Sequence, residues 1–275
     1  MSVPVSALTL GSMALAALVC VAIPLILLFY YKRKGAQVSP FFVGCAVFIL
    51  FALILEALVH NIVLKGLPVG EKIVGNTLLY AIYGGLMAGL FEETGRFAAF
   101  RTVLKGRQGN DRNALMYGAG HGGIEAVLLL SATYGSYIAL GIMMDMGLAD
   151  KLTAGLSGEM LTQMQALLST VAAMTPLTCL LAILERCAAM TLHISLSVLV
   201  WFAAKKPGKF SLYPLAILLH ALADGLMVVL AARLPVTAVE GCLVVMAAVL
   251  ALIARAVWKR ERNSSAVSEI CPAGK

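Results

Sequence analysis

The feature that most constrains this chain is a series of long apolar runs separated by short polar segments. A transmembrane helix needs about 20 apolar residues to cross a hydrocarbon core of about 30 Å. Seven runs reach that length, and they cover approximately residues 7–30, 38–64, 74–100, 113–143, 176–204, 211–233 and 236–258. We therefore predict an all-α fold: a polytopic transmembrane helix bundle of about seven spans, forming a single transmembrane domain over residues 1–260.

The composition excludes a water-soluble domain. Hydrophobic residues make up 61% of the 275 positions and charged residues 13%, and the mean hydropathy is +0.93, whereas soluble domains average about 25% charged residues. The net charge of +7 lies in short clusters between the apolar runs, which is typical of membrane orientation. We therefore expect the lipid bilayer as a partner, and no nucleic acid.

The positive charges also predict the orientation. Fourteen fall in segments that we assign to the cytoplasm: Lys32, Arg33, Lys34, Arg101, Lys105, Arg107, Arg112, Lys205, Lys206, Lys209, Lys259, Arg260, Arg262 and Lys275. Four fall on the opposite side: Lys65, Lys72, Lys151 and Arg233. The positive-inside rule places the N-terminus outside and the C-terminus inside, and the polar residues 261–275 are predicted to be a disordered cytoplasmic tail.

Residues 145–175 are the one ambiguous stretch, because polar side chains such as Asp150, Glu159 and Gln163 alternate there with apolar ones. This pattern predicts an amphipathic helix or a re-entrant piece on the outer side. A crossing at this point would instead give eight spans and would place the later positive charges on the wrong side.

Ionisable side chains within the apolar runs are the candidate functional residues, because each costs free energy in lipid. They are Glu56, His60, Glu92, Glu93, Arg96, His121, Glu125, Glu185, Arg186, His193, His220 and Asp224. At about 1.5 Å of rise per residue, Glu92, His121 and His220 each lie about 13 Å from the predicted cytoplasmic end of their span. His193 and Asp224 lie at about 18–20 Å, so four helices contribute polar groups to one layer.

The other ionisable residues fall into a second group. Glu56, His60, Glu185 and Arg186 lie at about 27 Å or more from the cytoplasmic ends. We expect Glu56, Glu185 and Arg186 to form a structural ion-pair network near the outer interface. In the first group, by contrast, i, i+4 spacing places pairs of polar residues on one helix face: Glu92 with Arg96, His121 with Glu125, and His220 with Asp224.

A buried carboxylate, an imidazole and a fixed cation together suit the activation of water. His121, His193 and His220 would alternatively bind a metal that keeps one position open for water. The cofactor is then either none or a divalent metal, with zinc the best candidate. The strongest zinc signature, H-E-x-x-H, is absent from the sequence.

Three short motifs carry a resemblance to a known family. They are E-E-x-x-R at residues 92–96, H-G-G-I-E at 121–125 and H-A-L-A-D at 220–224. Residues 74–230, which contain them, resemble the catalytic helices of the YhfC family of bacterial membrane peptidases. That family lies in the superfamily of the CAAX prenyl proteases, the bacteriocin-processing and immunity proteins, and PrsW.

The resemblance implies that Glu92 and His121 activate water and that His220 and Asp224 form the oxyanion hole, with Glu93 and Arg96 completing the site. The sequence departs from the CAAX pattern in two ways: the Glu-to-Arg spacing is one residue shorter, and Asp224 replaces the usual Asn. An ionised Asp would repel an oxyanion, so Asp224 must be protonated, orient His220 or bind metal. Glutamic-type and metal-dependent chemistry both stay open.

We predict an intramembrane endopeptidase of the bacterial cytoplasmic membrane that cleaves a membrane protein or peptide near the cytoplasmic side. A proton- or cation-coupled transporter is the first alternative, because buried Glu, His and Asp also serve as relays. Transporters typically contain Pro-broken helices related by a repeat. The position of Pro176 and Pro214 near span ends weighs mildly against this alternative. A catalytically inactive membrane scaffold is the second alternative.

Overall fold

The computed structural model describes the backbone of residues 5–270 and the side chains of residues 5–262, and within this part every regular element is helical. The helices are α1 (Ala7–Arg33), α2 (Ser39–Lys65), α3 (Val69–Val74), α4 (Thr77–Arg101), α5 (Arg112–Asp145), α6 (Ala149–Thr153), α7 (Gly158–Ala172), α8 (Pro176–Lys205), α9 (Leu212–Ala231) and α10 (Val236–Ile270). Helix α2 contains π-helical segments at Ile49–Glu56 and Asn61–Lys65. The predicted all-α fold is confirmed.

Six helices in the described part are long and apolar enough to cross a membrane: α1, α2, α5, α8, α9 and α10 up to Arg262. Helix α4 has 25 residues, which gives a length of about 37 Å, but it is less apolar than the other six. The structure thus confirms a polytopic transmembrane helix bundle. The seventh span at α4 and the orientation stay predictions.

The ambiguous stretch 145–175 contains two short helices, α6 and α7. Along α7, the less exposed residues include Leu161, Met164, Leu167, Leu168 and Val171, and this spacing of three to four defines one apolar face. The predicted amphipathic helix is therefore confirmed. Its position on the outer side stays a prediction.

The chain divides into two compact units. The first contains residues 1–23 and 125–186. In it the Val5 N–H donates to the Asp145 carboxylate at 2.8 Å, and Arg186 pairs with Glu125 at 2.8 Å and with the adjacent Glu185. The expected pairing of Glu185 with Arg186 is confirmed, and Glu125 is a further partner of Arg186. The participation of Glu56 stays a prediction. The single domain over 1–260 stays a prediction.

The second unit contains residues 24–124 and 187–275. At its C-terminal end Glu261, which is only 3% exposed, accepts from Lys206 and pairs with Lys209 at 2.8 Å. Helix α10 therefore continues past the predicted start of the tail at 261. Residues 271–275 lie outside the described part of the chain, and the disorder of the tail stays a prediction.

Glycines allow the helices of the second unit to approach closely. A Cβ atom on Gly85 of α4 would lie against the Ala221 carbonyl of α9, and one on Gly118 of α5 would lie 2.6 Å from the Ile194 Cα of α8. Such contacts are possible only where one helix lacks a side chain. These crossings bring α4, α5, α8 and α9 together around the ionisable residues.

We expect Gly85→Ala to lower the free energy of unfolding by about 1–3 kcal/mol, because the added methyl group meets backbone atoms that have little freedom to move. Gly84→Ala is the matched control, since a Cβ there meets nothing within 4 Å. The control should be neutral or stabilising by up to about 1 kcal/mol. Thermal unfolding in detergent measures both, and equal melting temperatures would contradict the proposed α4–α9 contact.

Candidate active site

Helix α4 supplies three of the site residues. It begins after Asn76, whose Oδ1 accepts from the N–H groups of Leu78 and Leu79 at 3.0 Å, as a good N-cap does. Successive helical residues point about 100° apart, so the adjacent Glu92 and Glu93 face different neighbours. Both side chains are buried. Each is the centre of one group of contacting side chains, and we call these two groups the first and the second arm of the site.

The first arm joins Glu92 to two histidines on other helices. The Glu92 Oε2 atom lies 2.8 Å from His121 Nε2 on α5 and 3.7 Å from His193 Nδ1 on α8. The two imidazole rings are 4.9 Å apart. One ligand atom from each of the three residues lies within 4.8 Å of the other two, and all three residues are buried. Among the described side chains this is the group able to hold a metal ion.

The second arm is a charged network around Glu93. Arg96 Nη1 donates to both Glu93 carboxylate oxygens at 2.6 Å, and His220 Nδ1 of α9 lies 2.8 Å from Oε1. Arg96 Nη2 also donates to His193 Nδ1 at 3.2 Å, so the guanidinium connects the two arms. Glu93 and Arg96 are both fully buried, and a buried charge pair persists only when its hydrogen bonds are satisfied in this way.

Asp224 lies at the edge of the site. Its Oδ2 atom is 3.6 Å from His220 Nε2, and 46% of its side chain is exposed. That distance is longer than a normal hydrogen bond. The carboxylate therefore faces the open side of His220, opposite the nitrogen that contacts Glu93.

The structure brings together Glu92, Glu93, Arg96, His121 and His220 in the interior, as the sequence predicted, together with His193. The metal-donor set differs from the predicted His121, His193 and His220. His220 is bonded to Glu93, and the Glu92 carboxylate takes its place beside the other two histidines.

Sequence reasoning placed Glu56 and His60 away from the site. In the structure Glu56 is buried, its Oε1 atom lies 3.1 Å from His60 Nε2, and its carboxylate is close enough to Glu92, His220 and Asp224 to interact with their charges. The i, i+4 spacing of Glu56 and His60 on α2 was the signal for their pairing. The depth of Glu56 and His60 along their helix did not predict these neighbours, because depth takes no account of the tilt of the helix or of the helices that lie beside it.

The comparison with protein families agrees with this geometry. The profile described as YhfC intramembrane metalloprotease matches residues 19–249, which include both arms. The chain belongs to the YhfC family. A YhfC-family relative, the uncharacterized membrane protein YhfC of Bacillus subtilis (strain 168), is 34% identical over 212 residues, which is 76% of this chain and 80% of that protein. No solved structure matches.

Family membership confirms the predicted resemblance, and it identifies the chain as a multi-pass protein of a bacterial membrane and as a member of a family of membrane proteases. The donors in the first arm fit a divalent metal. Catalytic zinc sites use three protein ligands and leave one position open, and two imidazoles with one carboxylate are an established set. The combination of Glu92, His121 and His193 meets that requirement.

Proposed function

We propose that this YhfC-family chain is an intramembrane endopeptidase that hydrolyses a peptide bond of a membrane-associated substrate near the cytoplasmic side. In this proposal Glu92, His121 and His193 hold a divalent metal, most suitably zinc. The observation that carries the proposal is the convergence of one carboxylate and two imidazoles, from three different helices, within 4.8 Å. The cytoplasmic position rests on the predicted orientation of α4, α5 and α9.

A divalent metal in this position supplies Lewis acidity, which polarises a carbonyl group and lowers the pKa of water. The protein groups around it have separate roles. Arg96 fixes the Glu93 carboxylate, and that carboxylate keeps a proton on His220 Nδ1, as a carboxylate commonly orients an imidazole.

His220 Nε2 then faces the open side of the site. As an imidazolium it would donate its Nε2–H to the developing oxyanion. Asp224, 3.6 Å away and 46% exposed, would orient and stabilise the imidazolium without lying in the oxyanion position. This arrangement accounts for an Asp at a place where the related CAAX pattern has Asn.

Metal removal tests the proposal. We expect 1,10-phenanthroline to reduce cleavage of fluorescein-labelled casein by the purified protein at least about 100-fold, because a Lewis acid contributes several kcal/mol to the transition state. Added zinc should restore cleavage, and elemental analysis should find one zinc per chain. A Glu92→Gln preparation, purified identically, measures contaminating proteases.

Two results would contradict this proposal in different ways. Cleavage that survives complete metal removal but is abolished by Glu92→Gln would indicate a glutamic-type peptidase. Cleavage that is equal in the native protein and in Glu92→Gln would show that these residues do not catalyse it.

A further inference from the structure

Three polar residues adjoin the site without belonging to either arm. Glu56 Oε1 lies 3.1 Å from His60 Nε2, and His60 Nδ1 lies 3.0 Å from the hydroxyl of Tyr83 on α4. We call Glu56, His60 and Tyr83 the polar seam. It forms a continuous hydrogen-bonded path on α2 and α4, and its inner end, Glu56, is within electrostatic range of Glu92 and His220.

The backbone of α2 is irregular where it carries the seam. The π-helical segment Ile49–Glu56 ends at Glu56, and a second one, Asn61–Lys65, begins directly after His60. Such segments are rare and often occur at functional sites, because they re-aim the side chains that follow. Here the first segment precedes His60, whose ring contacts Tyr83 of α4, and α4 packs against both α2 and α9.

The exposure of these polar side chains increases along the seam away from the site. The exposed fraction of the side chain is 9% for Glu92, 10% for Glu56 and 32% for His60. The hydrogen bonds within the seam satisfy the two His60 nitrogens, but ionisable side chains that face hydrocarbon still lose their hydration, which costs free energy. A polar face at membrane depth is therefore expected where a protein surface meets water rather than acyl chains.

The opposite side of α4 is different. A groove of about 600 Å³ between α4, α9 and α10 is lined by apolar side chains, including Leu78 and Ile82 of α4, Leu222 of α9 and Val249 of α10. That groove is suited to acyl chains. Helix α4 thus has an apolar exposed face towards α9 and α10, while Tyr83 on another side of the helix contacts His60 of α2.

We propose that the polar seam is hydrated inside the membrane and is the route by which water reaches the site. This inference rests on the proposed function, since each hydrolysis consumes one water molecule: its hydroxyl adds to the carbonyl carbon and its proton ends on the leaving amine. The buried Glu92 and His121 need such a supply, and the seam connects them to the surface near the first turns of α4.

Cysteine accessibility tests the hydration directly. The six native cysteines of the full chain are replaced by Ser or Ala, and His60→Cys, Tyr83→Cys and Leu58→Cys are reconstituted separately in phosphatidylcholine liposomes. Leu58 is the matched control, because it lies on α2 beside His60 and is 56% exposed, but on the apolar face. A membrane-impermeant methanethiosulfonate reagent reacts with the thiolate, which forms in water and not in hydrocarbon.

We expect His60→Cys and Tyr83→Cys to react at least about 10-fold faster than Leu58→Cys, since the thiolate population decides the rate. Equal rates at positions 58 and 60 would overturn the proposal. Tyr83→Cys provides a second measurement if His60→Cys fails to fold, because Tyr83 is partly exposed and its replacement removes one hydrogen bond at the outer end of the seam.

A second measurement tests whether water in the polar seam is needed for cleavage. Modified His60→Cys should cleave labelled casein at least about 10-fold more slowly than the same unmodified variant, while modified Leu58→Cys should be unchanged. Rapid labelling without loss of cleavage would overturn the assigned route. The labelling rates do not depend on cleavage, so a hydrated seam in a protein that never cleaves casein would reject the peptidase proposal and leave the hydration intact.

Discussion

Glu92→Gln and His121→Ala are each expected to abolish metal binding and to lower casein cleavage at least about 1,000-fold. Each change removes one of three donors that lie within 4.8 Å of one another. With only two protein ligands left, a catalytic zinc site is incomplete, and the transition state loses the several kcal/mol that the metal supplies, at 1.36 kcal/mol per tenfold change in rate. Zinc content by elemental analysis and initial cleavage rates measure the two effects.

The matched control is Glu185→Gln. Glu185 is also a carboxylate in a predicted span, but it pairs with the adjacent Arg186 and contributes nothing to the donor set. It should retain native zinc content and native cleavage. Full zinc occupancy in Glu92→Gln would show that the carboxylate is not a ligand, even if cleavage were lost.

The largest expected effect on stability is that of Arg96→Met. This change removes the guanidinium that donates to both oxygens of Glu93, while both residues are fully buried. Among the described contacts the carboxylate then keeps the one to His220 Nδ1, and breaking a buried pair from one side typically costs about 3–5 kcal/mol. We expect the free energy of unfolding to fall by that amount.

Trp201 is fully buried, so its fluorescence during unfolding in mixed micelles of sodium dodecyl sulfate reports the loss. Arg101→Met on the same helix is the control, because Arg101 is exposed and surface changes usually stay within about 0.5 kcal/mol. The double variant Arg96→Met with Glu93→Gln should recover part of the loss, since no charge is then left unpaired. Equal losses in the single and double variants would contradict the ion-pair explanation.

Much of this fold could be predicted from the sequence, because lipid leaves few alternatives. Apolar runs of about 20 residues must form helices that satisfy their own backbone hydrogen bonds, and charged residues within them must face inward. For Glu92, His121 and His220 these constraints were sufficient: all three are buried, and they come from different helices as predicted.

The pairing of the inward-facing residues could not be predicted in the same way. Counting residues from a helix end gives depth, but it does not say which neighbour a side chain meets. Glu93 rather than Glu92 contacts His220 because adjacent residues on α4 point about 100° apart, and one sequence does not determine the rotation of α4 about its axis. Arg186 likewise pairs with Glu125 within its own unit, a contact that helix depth did not predict.

The extended turn at Ile49–Glu56 has a consequence for how this family can vary. A turn closed from residue i to i+5 holds one residue more than an α-helical turn. Deleting one residue there would therefore let α2 form an ordinary helix, while the residues before and after the turn would keep nearly the same angular relation. Gly44, which precedes the turn, would keep its close contact with Tyr117 and His121 of α5, and His60 would still face Tyr83. The surplus residue is therefore an insertion that relatives can gain or lose without turning one half of α2 against the other.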